Sequence, residues 1–139
     1  MKTRLFGLLA ALGLFTLLAL PAAAQDTNIP VSIGNVSLSK NGQTATVNFT
    51  FTCAITSDYY ASAQVFQTSG RLLNGGGNSV YGNCTAGEVV SVSVPVTSQF
   101  SSAFKNGPAS VSVGASQYDY NAGNYYSGQT TQTVRLSPR

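Results

Sequence analysis

From Val31 to Leu136 the chain alternates apolar and polar residues with the period of a half-buried β-strand, and helical periodicity is nearly absent. The clearest run is Ala45, Val47, Phe49, Phe51 and Cys53 alternating with Thr44, Thr46, Asn48, Thr50 and Thr52. It predicts a strand with one face in a core and a Thr-rich face in water. Before it, Val31 and Ile33 share a face, and Gly34-Asn35 shifts the phase so that Val36 and Leu38 follow. A strand that bulges at Gly34 and continues on its other face is expected. Between these strands Asn41-Gly42 supplies the positive φ angles of a tight hairpin.

A third strand is expected from Tyr59 to Gln67, entered from the polar turn Thr56-Ser57-Asp58, with Ala61, Ala63 and Val65 inward. Arg71-Leu72-Leu73 either prolongs it or opens a short strand. Asn74-Gly75-Gly76-Gly77-Asn78-Ser79 predicts a flexible surface loop, because neither a helix pattern nor a Lys follows to make the glycines an anion cradle. Val90, Val92, Val94 and Val96 define the next strand; Pro95 sits on its other face and, lacking an N–H, predicts an unpaired position. Phe100 and Phe104, four residues apart, predict a short helical turn whose rings plug one end of the core, stopped by Gly107-Pro108. Val111, Val113 and Ala115 lead a strand into Tyr118. Asp119 to Asn124 is a polar tip, and Tyr126 to Leu136 is the last strand. The fold class predicted is all-β: an immunoglobulin-like, two-sheet antiparallel sandwich of about seven strands with one disulfide.

Ahead of this pattern stand Met1-Lys2-Thr3-Arg4, an apolar run from Leu5 to Leu20, and Pro21-Ala22-Ala23-Ala24. A basic start, an apolar stretch and a small-residue exit are the three parts of a secretory signal peptide. The run is shorter than the ~20 residues of a membrane span and ends in a helix breaker, so cleavage after Ala24 is expected rather than anchoring. That divides the chain into a leader, 1–24, and one domain, 25–139, with no membrane span left after export. A secreted chain, extracellular or periplasmic, also explains the two cysteines: in an oxidising compartment Cys53 and Cys84 are expected to pair. Closing a loop of about 30 residues is worth roughly 3–4 kcal/mol. In the simplest immunoglobulin order the fifth strand would lie between the two cysteines, two strand spacings apart, which exceeds disulfide reach. Cys84 is therefore expected in a segment curling over the sandwich end.

Charge is sparse. Beyond the leader, Lys40, Arg71, Lys105, Arg135 and Arg139 face Asp26, Asp58, Glu88 and Asp119, too dispersed for a stripe along a phosphate backbone, so nucleic acid is an unsuitable partner. The chain has no His, which removes the commonest general base and metal ligand, and no G-x-S-x-G elbow. No motif points to catalysis, a metal or another cofactor. Two carboxylates need weighing: Asp58 before the third strand and Asp119 in the tip before the last, whose loops emerge at one end of an immunoglobulin topology. They are candidates for an acid–base pair, for calcium ligation with Asn121 and Asn124, or for ordinary turn chemistry, which is favoured.

The tyrosines carry more information. Tyr59 and Tyr60 flank one of these loops and Tyr118, Tyr120, Tyr125 and Tyr126 the other, so six of the seven are expected at one end. Rigid Tyr among Ser, Asn and Gly is the composition of a recognition surface. Alternation places one of each adjacent pair in the core, leaving about three exposed.

The order of Asn41-Gly42, Phe51-Thr52-Cys53, Asn83-Cys84-Thr85-Ala86-Gly87-Glu88, Phe104-Lys105-Asn106-Gly107-Pro108-Ala109-Ser110-Val111 and Thr133-Val134-Arg135-Leu136 resembles an uncharacterised family of small secreted bacterial domains, best known from actinobacteria. That resemblance implies a signal peptide, an immunoglobulin-like sandwich and two cysteines, and no activity. A looser likeness is to the neocarzinostatin-type carriers, secreted sandwiches that hold a chromophore in a cleft and have two disulfides. The function expected is a non-catalytic secreted or cell-surface domain binding an extracellular glycan or protein through its Tyr-rich loop end. The alternatives are a self-associating envelope or matrix component and a small-molecule carrier.

Overall fold

A computed structural model describes residues 27–100 and 102–138. The expected leader, 1–24, lies outside the described residues. Seven strands follow in order: β1 (Val31–Leu38), β2 (Thr44–Thr52), β3 (Ser57–Ser69), β4 (Leu72–Cys84), β5 (Val89–Thr97), β6 (Gly107–Asp119) and β7 (Asn124–Leu136). They form two antiparallel sheets, one ordered β1-β2-β5 and the other β4-β3-β6-β7. The all-β two-sheet sandwich with one disulfide is thus the fold of this chain.

The alternation in the sequence is the alternation of the sheets. Ala45, Val47, Phe49 and Phe51 of β2 and Val92, Val94 and Val96 of β5 are buried, and so are Ala61, Ala63 and Val65 of β3 and Val111, Val113 and Ala115 of β6. Bulk is shared unequally: the rings project from β2, whereas four of the seven core positions of β3 and β6 are alanine. Large side chains against small ones let two sheets about 10 Å apart fill the space between them.

Several local expectations are corrected by the tertiary structure. The bulge in β1 does fall between Ile33 and Val36, but it keeps the strand on one face rather than switching it. Ile33 pairs with Phe49 and Val36 with Val47, both inward positions, because Gly34 and Asn35 together oppose Asn48. The Asn48 amide donates to Asn35 Oδ1 at 3.0 Å and holds the extra residue out. In the first hairpin only Gly42 has positive φ, 70°. Asn41 contributes its side chain instead, accepting from Gln43 N–H and Ser39 O–H. Gly42 N–H closes the turn on Ser39 O, which gives a type I turn followed by a left-handed glycine.

The expected loop at 74–79 is a strand. Its signal was hidden by three glycines, two of which have their side-chain space taken by neighbours. A Cβ at Gly75 would collide with the Phe66 ring, and one at Gly76 with the Thr97 carbonyl oxygen of β5, which crosses close by. The aromatic ring over Gly75 supplies the packing that the glycine lacks. Register is set by the two-residue turn Gly70-Arg71, with Gly70 at φ 62° and Ser69 opposite Leu72. Pro95 is likewise paired, opposite Thr46. Its carbonyl oxygen accepts from the Asn78 amide of β4, away from β2, so its nitrogen also faces outward and no ladder bond is lost.

No helical turn forms among the described residues of 98–106. Phe104 is buried there, and Phe100 is exposed. The segment is latched by buried amides in place of helical bonds. Gln67 donates to Lys105 O and accepts from Lys105 N–H, while Asn74 donates to Ser102 O and accepts from Ser98 O–H.

Finally, Cys84 does not curl over the sandwich end; it closes β4. The expectation failed because β4 belongs to the opposite sheet from β2 and β5, beside β3, so no strand separates the cysteines. The bond joins the two sheets with Cα atoms 6.4 Å apart. The turn after it is held as well: Gly87 N–H donates to Cys53 O, Cys53 N–H to Glu88 O, and Thr85 N–H to the Glu88 carboxylate.

Candidate functional site

Antiparallel pairing of β3 with β6 and of β6 with β7 brings the start of β3, the end of β6 and the start of β7 to the same end, as the sequence implied. All six expected tyrosines lie in that half of the molecule, but pleating divides them. Tyr59 is half-buried, its ring edge-on to Phe51 at 5.0 Å, in space left by its register partner Gly82. Tyr126 is buried opposite Gln117. Tyr60, Tyr118 and Tyr125 point outward from the four-stranded sheet, so each adjacent pair contributes one inward ring. Tyr120 stands at the tip of the β6–β7 turn, 87% exposed, with its ring T-shaped to Tyr118 at 4.8 Å. The surface is therefore mostly a sheet face, with one residue from a loop.

Sequence reasoning missed Tyr81. It is 76% exposed, lies opposite Tyr60 in the β3–β4 ladder, and packs its ring against Tyr60 at 5.1 Å. Its parity could be counted only once 74–79 was recognised as strand; then Tyr81, Ser79, Gly77 and Gly75 share the outer face. Phe66 and Leu73 lie farther along that face and are exposed as well.

The two carboxylates are not brought into one hollow. Asp119 Oδ1 accepts from the backbone N–H groups of Asn121 and Ala122, and Gly123 N–H returns to Asp119 O. This is turn chemistry, the favoured expectation for that residue. Asp119 borders a small hollow with Tyr118 and Tyr120, whereas Asp58 borders another with Asn83 and Glu88. Among the described residues no group of three or more His, Cys, Asp or Glu side chains is placed to hold a metal ion.

A shallow trough of about 540 Å³ lies on the outer face of β3, β6 and β7. Gly114 lies in its floor, Tyr60 and Tyr125 border it, and Ser62, Ser112, Gln64 and Gln129 line it. Register explains the hollow. Gly114 stands between Ser62 on β3 and Gln129 on β7, so a position with no side chain is flanked by positions that have one. The Gln129 amide and the Thr131 hydroxyl both donate to Ser112 Oγ, at 2.8 and 3.0 Å, which holds this polar rim in place.

The same end is stiffened from inside. Gln117, 2% exposed, accepts from Ala54 N–H at 2.8 Å and donates to Ile55 O at 2.9 Å, tying the β2–β3 connection to β6 beneath the tyrosines. No buried side-chain polar atom lacks a partner among the described residues. No protein-family model matches the chain, and a search of curated proteins finds no match.

Proposed function

We propose that the protein is a non-catalytic secreted or cell-surface domain that binds a glycan or a protein through the tyrosine-bearing outer face of its four-stranded sheet. One observation carries this reading. Tyr60, Tyr81, Tyr118 and Tyr125 are exposed on that face, while the outer face of the other sheet has no aromatic residue at all. Exposed rings held by rigid strands supply contact area with little conformational entropy left to lose. The export assignment is supported by the leader-type N-terminus and by the disulfide, which is compatible with an oxidising extracellular or periplasmic compartment.

The other two readings have less support. Edge-to-edge self-association needs open strand edges, and two of the four are partly covered, β7 by Asn28 at Ser127 and β1 by Pro138 at Leu38. A carrier of an apolar chromophore needs an apolar cleft, and the trough is lined mainly by hydroxyl and amide groups. The test is binding on a glycan array and in pull-downs from extracellular material, with the triple variant Tyr60→Ala, Tyr81→Ala, Tyr118→Ala alongside. Loss of binding by a folded triple variant is expected; undiminished binding would refute the surface.

A further inference from the structure

We infer that the trough over Gly114 is a subsite for a neutral glycan chain. The inference rests on the outer sheet face being the binding surface and narrows its ligand to an uncharged, polyhydroxylated polymer.

Charge is the first argument. No Lys, Arg, Asp or Glu lines the trough. A uronate, phosphate or ammonium group entering it would lose part of its hydration and meet no counter-charge, whereas a neutral sugar has no such cost. Hydrogen-bonding capacity is the second. Serine hydroxyls and glutamine amides each donate and accept, as sugar hydroxyls do. Ser112 Oγ already accepts from Gln129 and Thr131, so its own O–H is the capacity it has to offer a ligand. Tyr60 and Tyr125 border the same hollow and add ring faces for the C–H faces of sugars.

The third argument is Gly114 itself. A glycine inside a strand is destabilising relative to alanine, because its backbone loses more freedom on folding. Gly114 has no positive φ to require it, and the first atom a Cβ would meet is Gly128 O at 3.3 Å, a few tenths of an ångström too close. By contrast, a Cβ at Gly76 or Gly128 would strike a backbone carbonyl oxygen outright. Packing therefore accounts for those two glycines far better than for Gly114, whose evident effect is to keep the trough floor clear.

The experiment is affinity electrophoresis of the protein through gels containing laminarin, hydroxyethylcellulose, galactomannan, soluble starch or, as the anionic probe, polygalacturonate. Retardation by at least one neutral polymer and not by polygalacturonate is expected, unchanged by about 0.5 M NaCl because no ion pair is involved. Gly114→Val fills the floor and should weaken the retardation about tenfold or more, with thermal melting confirming the fold. Should that variant not fold, the pair Gln64→Ala, Gln129→Ala, both outward-facing, is expected to give the same loss. Retardation by polygalacturonate alone, or by none of the neutral polymers, overturns the inference. So does neutral binding that survives the trough variants. If that surviving binding is lost in the Tyr60→Ala, Tyr81→Ala, Tyr118→Ala variant, only the trough is refuted and the sheet face stands; if it persists there too, both fail.

Discussion

The outer face of β1-β2-β5 presents Ser32, Thr46, Asn48, Thr50, Ser91 and Ser93, whereas the outer face of β4-β3-β6-β7 presents Tyr60, Tyr81, Tyr118, Tyr125, Gln64 and Gln129. Both faces back onto the same core and obey the same alternation. Thr and Tyr are both good strand formers, so sheet stability favours neither arrangement. Water favours the first, since exposed rings bring apolar surface and a liability to association. Keeping one face plain and loading the other with rings is the contrast on which the proposed binding surface rests. The glycines repeat the contrast: a Cβ at Gly76 would strike the Thr97 carbonyl oxygen outright, whereas one at Gly114 would meet Gly128 O only at 3.3 Å.

The comparison can be broken at its base first. Phe49→Ala removes a buried ring between the sheets and should cost about 3–5 kcal/mol in urea unfolding, weakening both faces together because they share that support. A variant that unfolds one sheet before the other would show the faces to be independent. Next comes the bond between the sheets. Cys53→Ser with Cys84→Ser should cost roughly 2–4 kcal/mol and lower Tm by about 10–25 °C, with strand content at low temperature retained in circular dichroism. Two free thiols by mass spectrometry in protein recovered from outside the cytoplasm would contradict the pairing.

The glycines sharpen the comparison further. Gly76→Val drives a side chain into the β5 backbone and should destabilise by about 1–3 kcal/mol, while Gly114→Val should stay within about 1 kcal/mol of the parent and lose binding instead. Equal losses of stability would mean that Gly114 is a packing glycine like the other. The smallest effect is expected on the plain face. Ser91→Ala and Ser93→Ala should change stability by less than about 0.5 kcal/mol and leave binding untouched, whereas Tyr60→Ser should cost about 0.5–1.5 kcal/mol through its ring contact with Tyr81 and reduce binding. Binding that responds equally on both faces would erase the distinction.

Much of this architecture is written in the chain. Strict alternation in β2, β5 and β6 identifies strands and their inward residues, because a period of two puts every second side chain on one face. Cysteine count and a leader-like start suggest the disulfide, and hairpin spacing places the tyrosines near one another. Gln67 and Gln117 could also have been read: each ends an inward-facing series, after Val65 and Ala115, where a buried amide must find backbone partners.

Other features depend on contacts that no local pattern encodes. Three successive glycines imply a loop until Phe66 and Thr97 are seen to occupy the space at Gly75 and Gly76. Which sheet β4 joins, and hence how Cys84 reaches Cys53, is decided by its two-residue hairpin with β3 and not by its composition. Tyr81 became part of the face only through that pairing, and the trough exists only because register sets Gly114 between Ser62 and Gln129. Alternation says which side of a strand a residue takes; only pairing between strands distant in sequence says which residues stand together there.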